Sequence, residues 1–170
     1  MRPVLILISI PLSIALISCS SAPSTSEKTT VSSTPSNSSP STSGNDSQAY
    51  LDKAATEPGA KKTASGLVYQ ELKAGTGASP KATDTVKVHY RGTLVNGKEF
   101  DSSYARNQPI DFPLNRVIPC WTEGVQMMKV GGKSRLVCPS NLAYGEAGAP
   151  PDIPGGATLI FEIELLGISK

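Results

Sequence analysis

The alternation of apolar and polar positions is clearest from Thr85 to Val95. Val86, Val88 and Tyr90 fall on one side, and Lys87, His89 and Arg91 on the other. A period of two predicts a half-buried strand. Asn96-Gly97 follows and predicts a tight hairpin. The return strand opens at Lys98-Glu99-Phe100, and Asp101-Ser102-Ser103 breaks its regularity. Upstream, Leu67, Tyr69 and Glu71 alternate with Val68, Gln70 and Leu72 until Gly75-Thr76-Gly77 closes the run. Downstream, Ile110, Phe112 and Leu114 alternate, and further strands are expected over Ser134–Cys138 and Thr158–Ile168. One segment has the helical period instead. Pro119 can open a helix because it has no N–H to leave unsatisfied. Trp121, Val125 and Met128 then share a face, and Gly131-Gly132 ends the segment. A single short helix cannot bury its face alone, so a sheet must wrap it. The expected fold is α+β: a curled antiparallel sheet of five to six strands around one short helix, over residues 66–170. Between the last two strands, Asn141–Gly156 holds four Gly and three Pro, a loop suited to a binding rim.

The pattern before residue 66 differs. Met1-Arg2-Pro3 is a short positive region, and Val4–Ile17 is an almost continuous apolar run of signal-peptide length. It ends in Leu16-Ile17-Ser18-Cys19, which resembles the bacterial lipobox. That resemblance implies cleavage after residue 18 and acyl chains on Cys19 that hold the protein to a membrane. Ser20 after the cysteine, under the Gram-negative sorting rule, implies the outer membrane, with the protein facing the periplasm. An ordinary signal peptide with an incidental Cys19 is the alternative. Residues 19–47 continue almost entirely in Ser, Thr, Pro and other small polar residues, a tether expected to be disordered. As a coil it would reach roughly 25–30 Å. Residues 48–65 form a lead-in, with a short helix expected around Ala49–Ala55 and stopped by Pro58-Gly59.

Composition removes several functions. The net charge of +2 is unremarkable, and with no basic cluster a nucleic-acid partner is not expected. His89 is the only histidine and reads as a sheet-face residue, which removes Ser-His and Cys-His nucleophilic catalysis. No phosphate-cradling loop, GxSxG motif or carboxylate cluster is present, so neither a metal nor another cofactor is expected. Cys120 and Cys138 have no redox or zinc spacing. Outside the cytoplasm they are expected to form a disulfide, with two buried free thiols as the alternative. What remains is an aromatic and aliphatic set around Trp121, an apolar cup suited to proline or a small hydrophobic ligand. A lone tryptophan is otherwise most simply a core residue.

Several motifs in order resemble the FKBP-type peptidyl-prolyl cis-trans isomerases. They are Val88-His89-Tyr90-Arg91-Gly92, Gly97-Lys98-Glu99-Phe100-Asp101-Ser102-Ser103, Val117-Ile118-Pro119, Trp121-Thr122-Glu123-Gly124, Leu142-Ala143-Tyr144-Gly145 and Ala157–Leu166. Thr63–Tyr69 also resembles the entry to the catalytic domain in the macrophage-infectivity-potentiator branch. That branch carries a long dimerising helix upstream, where this chain has a Ser/Thr tether, so a monomer is expected. The resemblance implies catalytic roles for Tyr90, Asp101, Trp121, Tyr144 and Phe161. It implies substrate binding by Phe100, Arg106, Phe112, Val117, Ile118 and Ile153. Trp121 would floor the pocket, while the Ile118 N–H and the Tyr144 hydroxyl would donate to substrate carbonyls. Asp101 would sit near the twisting amide, held by Arg106, or would serve to orient Tyr90. The implied partners are proline-containing unfolded or envelope proteins, and macrolide inhibitors. Three places depart from the family pattern: Ile110 stands where an aromatic is usual, Cys120 replaces a glycine, and Ala149 and Asp152 alter the loop tip. Two further readings are a tethered, non-catalytic holdase that binds proline, and a surface adhesin carrying a decayed isomerase domain.

Overall fold

A computed structural model describes residues 42–169 of the chain. Cys19, the expected signal peptide and the expected tether up to residue 41 lie outside the described residues. Seven strands make one sheet: β1 (Ala60–Lys62), β2 (Val68–Lys73), β3 (Thr85–Leu94), β4 (Glu99–Ser102), β5 (Ile110–Pro113), β6 (Lys133–Cys138) and β7 (Leu159–Ser169). All pairs are antiparallel, in the order β1-β2-β6-β7-β3-β4, and β5 also pairs with β3. The described residues hold two α-helices, α1 (Thr42–Ala55) and α2 (Pro119–Gln126). The α+β expectation holds, with one strand more than the upper count. The addition is β1, three residues too polar to show a period, recruited by pairing with β2.

The alternation in β3 is realised: Val86, Val88, Tyr90 and Leu94 are buried. The Asn96-Gly97 turn closes with the Leu94 N–H donating to the Lys98 carbonyl, and Gly97 takes the left-handed φ of 84° such a turn needs. The break expected at Asp101–Ser103 lies earlier: Asp101 and Ser102 pair regularly with Gly92 and Arg91, and the register shifts at Phe100, between Asp101 and Glu99. The sheet curls around α2, whose Trp121 and Val125 are buried, as is Met128 just past its end. Ile118 caps α2 in extended conformation and Pro119 starts it. Gly124 permits the close approach of α2 to the sheet: a Cβ there would lie 2.6 Å from Leu136 Cδ1. Cys120 and Cys138 form a disulfide between the start of α2 and the end of β6, Cα atoms 5.8 Å apart.

The sheet's other face is covered as well. The expected short helix begins at Thr42, earlier than its apolar residues suggested. Leu51 and Ala54 of α1 pack on Val68, Val137 and Ile160, forming a second, smaller core. Arg135 of β6 reaches α1 and its exit, donating to Tyr50 Oη and, at 2.7 Å, to Glu57. The helix owes its existence to this packing, because a 14-residue segment of such polar composition is marginal alone.

Candidate active site

The long outer edge of β3 is shared between two short strands. β5 pairs with Thr85–Val88, and β4 with Arg91–Thr93. Phe112 of β5 and Phe100 and Asp101 of β4 are thereby brought around Tyr90. On the other side of β3, Phe161 of β7 stands opposite Gly92. Gly92 is required there: a Cβ would come within 2.6 Å of Phe100 and 3.1 Å of Phe161. Beneath these rings lies Trp121, which is 4 % exposed. Tyr90, Phe112 and Phe161 meet the indole edge-on, with centroids 5.2, 5.4 and 5.4 Å away. Edge-to-face contacts suit the ring quadrupoles and fix the indole plane.

Above the indole is an open cavity of about 360 Å³. Its walls are Tyr90, Phe100, Phe112 and Phe161; Val117, Ile118 and Tyr144 form the rim, with Asp101 and Arg116 beside them. The lining is mainly apolar, and some of its polar groups are idle donors. Among the described residues, the Ile118 N–H and the Tyr144 hydroxyl have no internal partner. The indole Nε1–H is, among the described residues, the only buried side-chain polar atom left without one.

The polar corner is different. The Tyr90 hydroxyl donates to Asp101 Oδ2 in a short hydrogen bond. Arg106 donates to Asp101 Oδ1 at 2.6 Å and to Tyr90 Oη at 3.0 Å. Burial pushes the Asp101 carboxyl up, but the hydrogen bonds from Tyr90 and Arg106, with the guanidinium charge, outweigh it and hold it below its ordinary value. Burial, aided by the adjacent carboxylate, pushes the Tyr90 phenol up to about 12. At neutral pH the corner therefore holds a carboxylate, a neutral phenol and a guanidinium. None is poised to exchange a proton near pH 7.

The structure thus gathers nine of the sequence-derived residues around one cavity: Tyr90, Phe100, Asp101, Phe112, Val117, Ile118, Trp121, Tyr144 and Phe161. Arg106 is adjacent through its ion pair with Asp101. Ile153 does not line the cavity. Its backbone is held by an antiparallel bridge to Ala149, and the side chain is 5 % exposed in the main core. Arg116 does line the cavity and was missed. The available signal was its position next to Val117-Ile118. His89 stacks on Tyr104 with centroids 4.7 Å apart and shares a hydrogen bond with Ser103, away from the cavity lining. Among the described residues, no group of three or more His, Cys, Asp or Glu could hold a metal.

Comparison with known proteins gives a consistent result. A family model described as FKBP-type peptidyl-prolyl cis-trans isomerase matches residues 77–166. The chain is 60% identical over 121 residues to "FKBP-type peptidyl-prolyl cis-trans isomerase FkpA" of Aeromonas hydrophila, covering 71% of this chain and 45% of that protein. The chain therefore spans less than half the length of this relative. Among solved structures, it resembles FkpA of Escherichia coli with a TM-score of 0.73 and 50% identity, covering 75% of this chain and 60% of that one. It also resembles a peptidyl-prolyl cis-trans isomerase of Pseudomonas syringae pv. tomato, with a TM-score of 0.71 and 40% identity, over 76% and 95% of the respective chains.

Proposed function

The chain belongs to the FKBP-type peptidyl-prolyl cis-trans isomerase family, and from that premise we propose that it accelerates rotation about Xaa-Pro bonds. The observation that carries the proposal is the open apolar cavity over Trp121, rimmed by unpartnered donors. Amide resonance sets a barrier near 18–20 kcal/mol, while cis and trans X-Pro forms differ by only about 0.5–1 kcal/mol. Rotation takes the nitrogen out of conjugation and reduces charge separation in the amide. A water-poor aromatic pocket favours that less polar, twisted form over the planar one. Trp121 floors the site of the proline ring, and the Ile118 N–H and Tyr144 hydroxyl hold flanking carbonyls. Asp101, fixed by Tyr90 and Arg106, lies beside the twisting bond. No proton transfer is needed, in keeping with a polar corner whose groups keep their charge states around neutrality. Lowering the barrier by about 6–8 kcal/mol gives roughly 10⁴–10⁶-fold acceleration.

The clients proposed are proline-containing unfolded or envelope proteins, with folding-chaperone action beside the isomerisation, and macrolides as competitors for the pocket. The protein acts as a monomeric lipoprotein anchored through Cys19, at the outer membrane and facing the periplasm. The lipobox-like residues and the polar stretch after Cys19 support this anchoring. Among the described residues, no helix is long and apolar enough to cross a membrane.

A protease-coupled assay on an Xaa-Pro peptide tests the activity. Acceleration that a macrolide abolishes is expected. No acceleration, together with protection of a proline-free client from aggregation, would replace the isomerase by the holdase. Mass spectrometry of the mature N-terminal peptide tests the anchor: it should begin at Cys19 and carry acyl chains.

A further inference from the structure

We infer that Arg116 selects substrates with a carboxylate beside the proline, so that Asp- and Glu-containing proline segments are preferred. The inference rests on the isomerase reading and names the substrate class of the same pocket.

Arg116 is an exposed residue that lines the cavity directly before Val117 and Ile118. Two charges besides Arg116 belong to the site, and they neutralise each other: Arg106 sits 2.6 Å from Asp101. The surrounding strands pair their own charges as well. Lys87 meets Asp111 of β5, Arg91 meets Glu99 of β4, and Lys98 meets Asp152 of the rim loop. On α2, Glu123 accepts from the Ser65 hydroxyl. Among the described residues, Arg116 has neither a salt bridge nor a side-chain hydrogen bond. Of the two charged residues that line the cavity, Asp101 and Arg116, only Arg116 lacks a counter-ion.

The backbone that carries this side chain is anchored. Arg116 ends a 3₁₀ turn that begins at the fully buried Leu114. The Leu114 N–H donates to the Asp84 carbonyl at 3.0 Å, and the Thr122 hydroxyl of α2 donates to the Leu114 carbonyl at 2.7 Å. The turn is therefore tied to both β3's approach and the pocket helix. Two residues on is Ile118, with its free backbone N–H. A peptide whose carbonyl is accepted there passes within reach of a long, fork-shaped guanidinium. Such a fork matches a carboxylate in geometry and charge. An apolar wall on one side strengthens the attraction relative to open water.

The test uses capped peptides that differ only at the residue before proline, or only at the residue after it: Glu, Gln, Leu or Lys. With the purified protein at low salt, kcat/KM for Glu over Gln is expected to be about two- to fivefold in one of the two series. The ratio should fall toward one in about 0.5 M salt. It should also fall to one in Arg116→Gln, and Arg116→Glu should prefer Lys over Gln. Binding of the same peptides, followed by the fluorescence of Trp121, the only tryptophan, separates this inference from the activity. If Glu and Gln peptides are turned over and bound equally in both series, or if Arg116→Gln keeps the preference, the assignment fails while the isomerase stands. If no peptide is turned over but the Glu preference survives in binding, the isomerase fails while the assignment stands.

Discussion

The two faces of the sheet are built alike and finished differently. Each is an apolar surface covered by a helix. On the outer face, α1 lays Leu51 and Ala54 onto Val68, Val137 and Ile160, and Arg135 bonds with Tyr50 and Glu57 around that patch. Its polar neighbours have partners. On the inner face, α2 buries Trp121, Val125 and Met128, yet the aromatic rings around the indole stop short of closing over it. That face keeps an open cavity and three idle donors, from Ile118, Trp121 and Tyr144. A core built only for stability would fill the space and pair the donors. The contrast separates a face that stabilises from one that binds, and it can be tested by cutting each in turn.

The largest expected effect on catalysis is on the inner face. Trp121→Leu keeps an apolar side chain but removes three edge-on ring contacts. It should lower kcat/KM for an Xaa-Pro peptide by about 2 kcal/mol, or about thirtyfold. Circular dichroism must show a folded sheet for the comparison to count. A folded variant with unaltered kcat/KM would mean that the indole belongs to the core alone.

Next comes the disulfide, which clips the pocket helix to β6 across a separation of 18 residues. Replacing Cys120 and Cys138 by Ala together should cost about 3 kcal/mol of stability in urea unfolding. The outer face has no such clip, and Leu51→Ala there should cost about 2 kcal/mol through lost burial. Leu51→Ala should nevertheless leave kcat/KM within twofold, since α1 contributes nothing to the cavity lining. A large loss of activity in that variant would show that the two faces are coupled.

The inner face was the more legible one in the sequence. The strict alternation of β3, the Asn96-Gly97 turn and the Pro119–Met128 period follow from local rules, and they fix where Tyr90, Phe100 and Trp121 must meet. The outer face was only partly legible: the helix around Ala49–Ala55 was expected, but its first two turns and the surface it covers were not. α1 has few apolar residues, its first turns are Ser, Thr, Gly and Asn, and its helicity comes from the surface it covers. β1, of sequence Ala-Lys-Lys, exists through pairing alone. Within the site, Ile153 lies in the core and Arg116, for which no role was expected, lines the cavity, for a related reason. Loop and turn residues have no period, so the bridge between Ala149 and Ile153 decides which side chain is buried, and the turn after β5 decides which cation faces the cavity.

The smallest effect concerns pH and asks whether charge on the two faces is equally consequential. Asp101 and Asp52 both lie below the ordinary carboxylate value in the folded protein. Burial opposes the shift at Asp101, but Tyr90 and Arg106 prevail. Asp52, on α1, is lowered chiefly by hydrogen bonds from Gln48 and Lys62. For a depressed carboxyl, the stabilising share is present above the unfolded pKa of about 3.9 and is lost as pH falls through the lower folded value. Wild type and Asp101→Asn should therefore differ in stability at pH 6, and the difference should shrink as pH falls below about 4. Asp52 is fully exposed, so water and salt screen its pair with Lys62. Asp52→Asn should match wild type throughout in about 0.5 M salt. At the alkaline end, Tyr90 ionises near 12 when folded against about 10 when unfolded. Between those values the unfolded chain binds fewer protons, so stability falls as pH rises; Tyr104 and Tyr69 are raised as well, so Tyr90→Phe should show a shallower decline than wild type. Equal acid limbs for Asp101→Asn and Asp52→Asn would mean that the polar corner of the pocket is no more than surface charge.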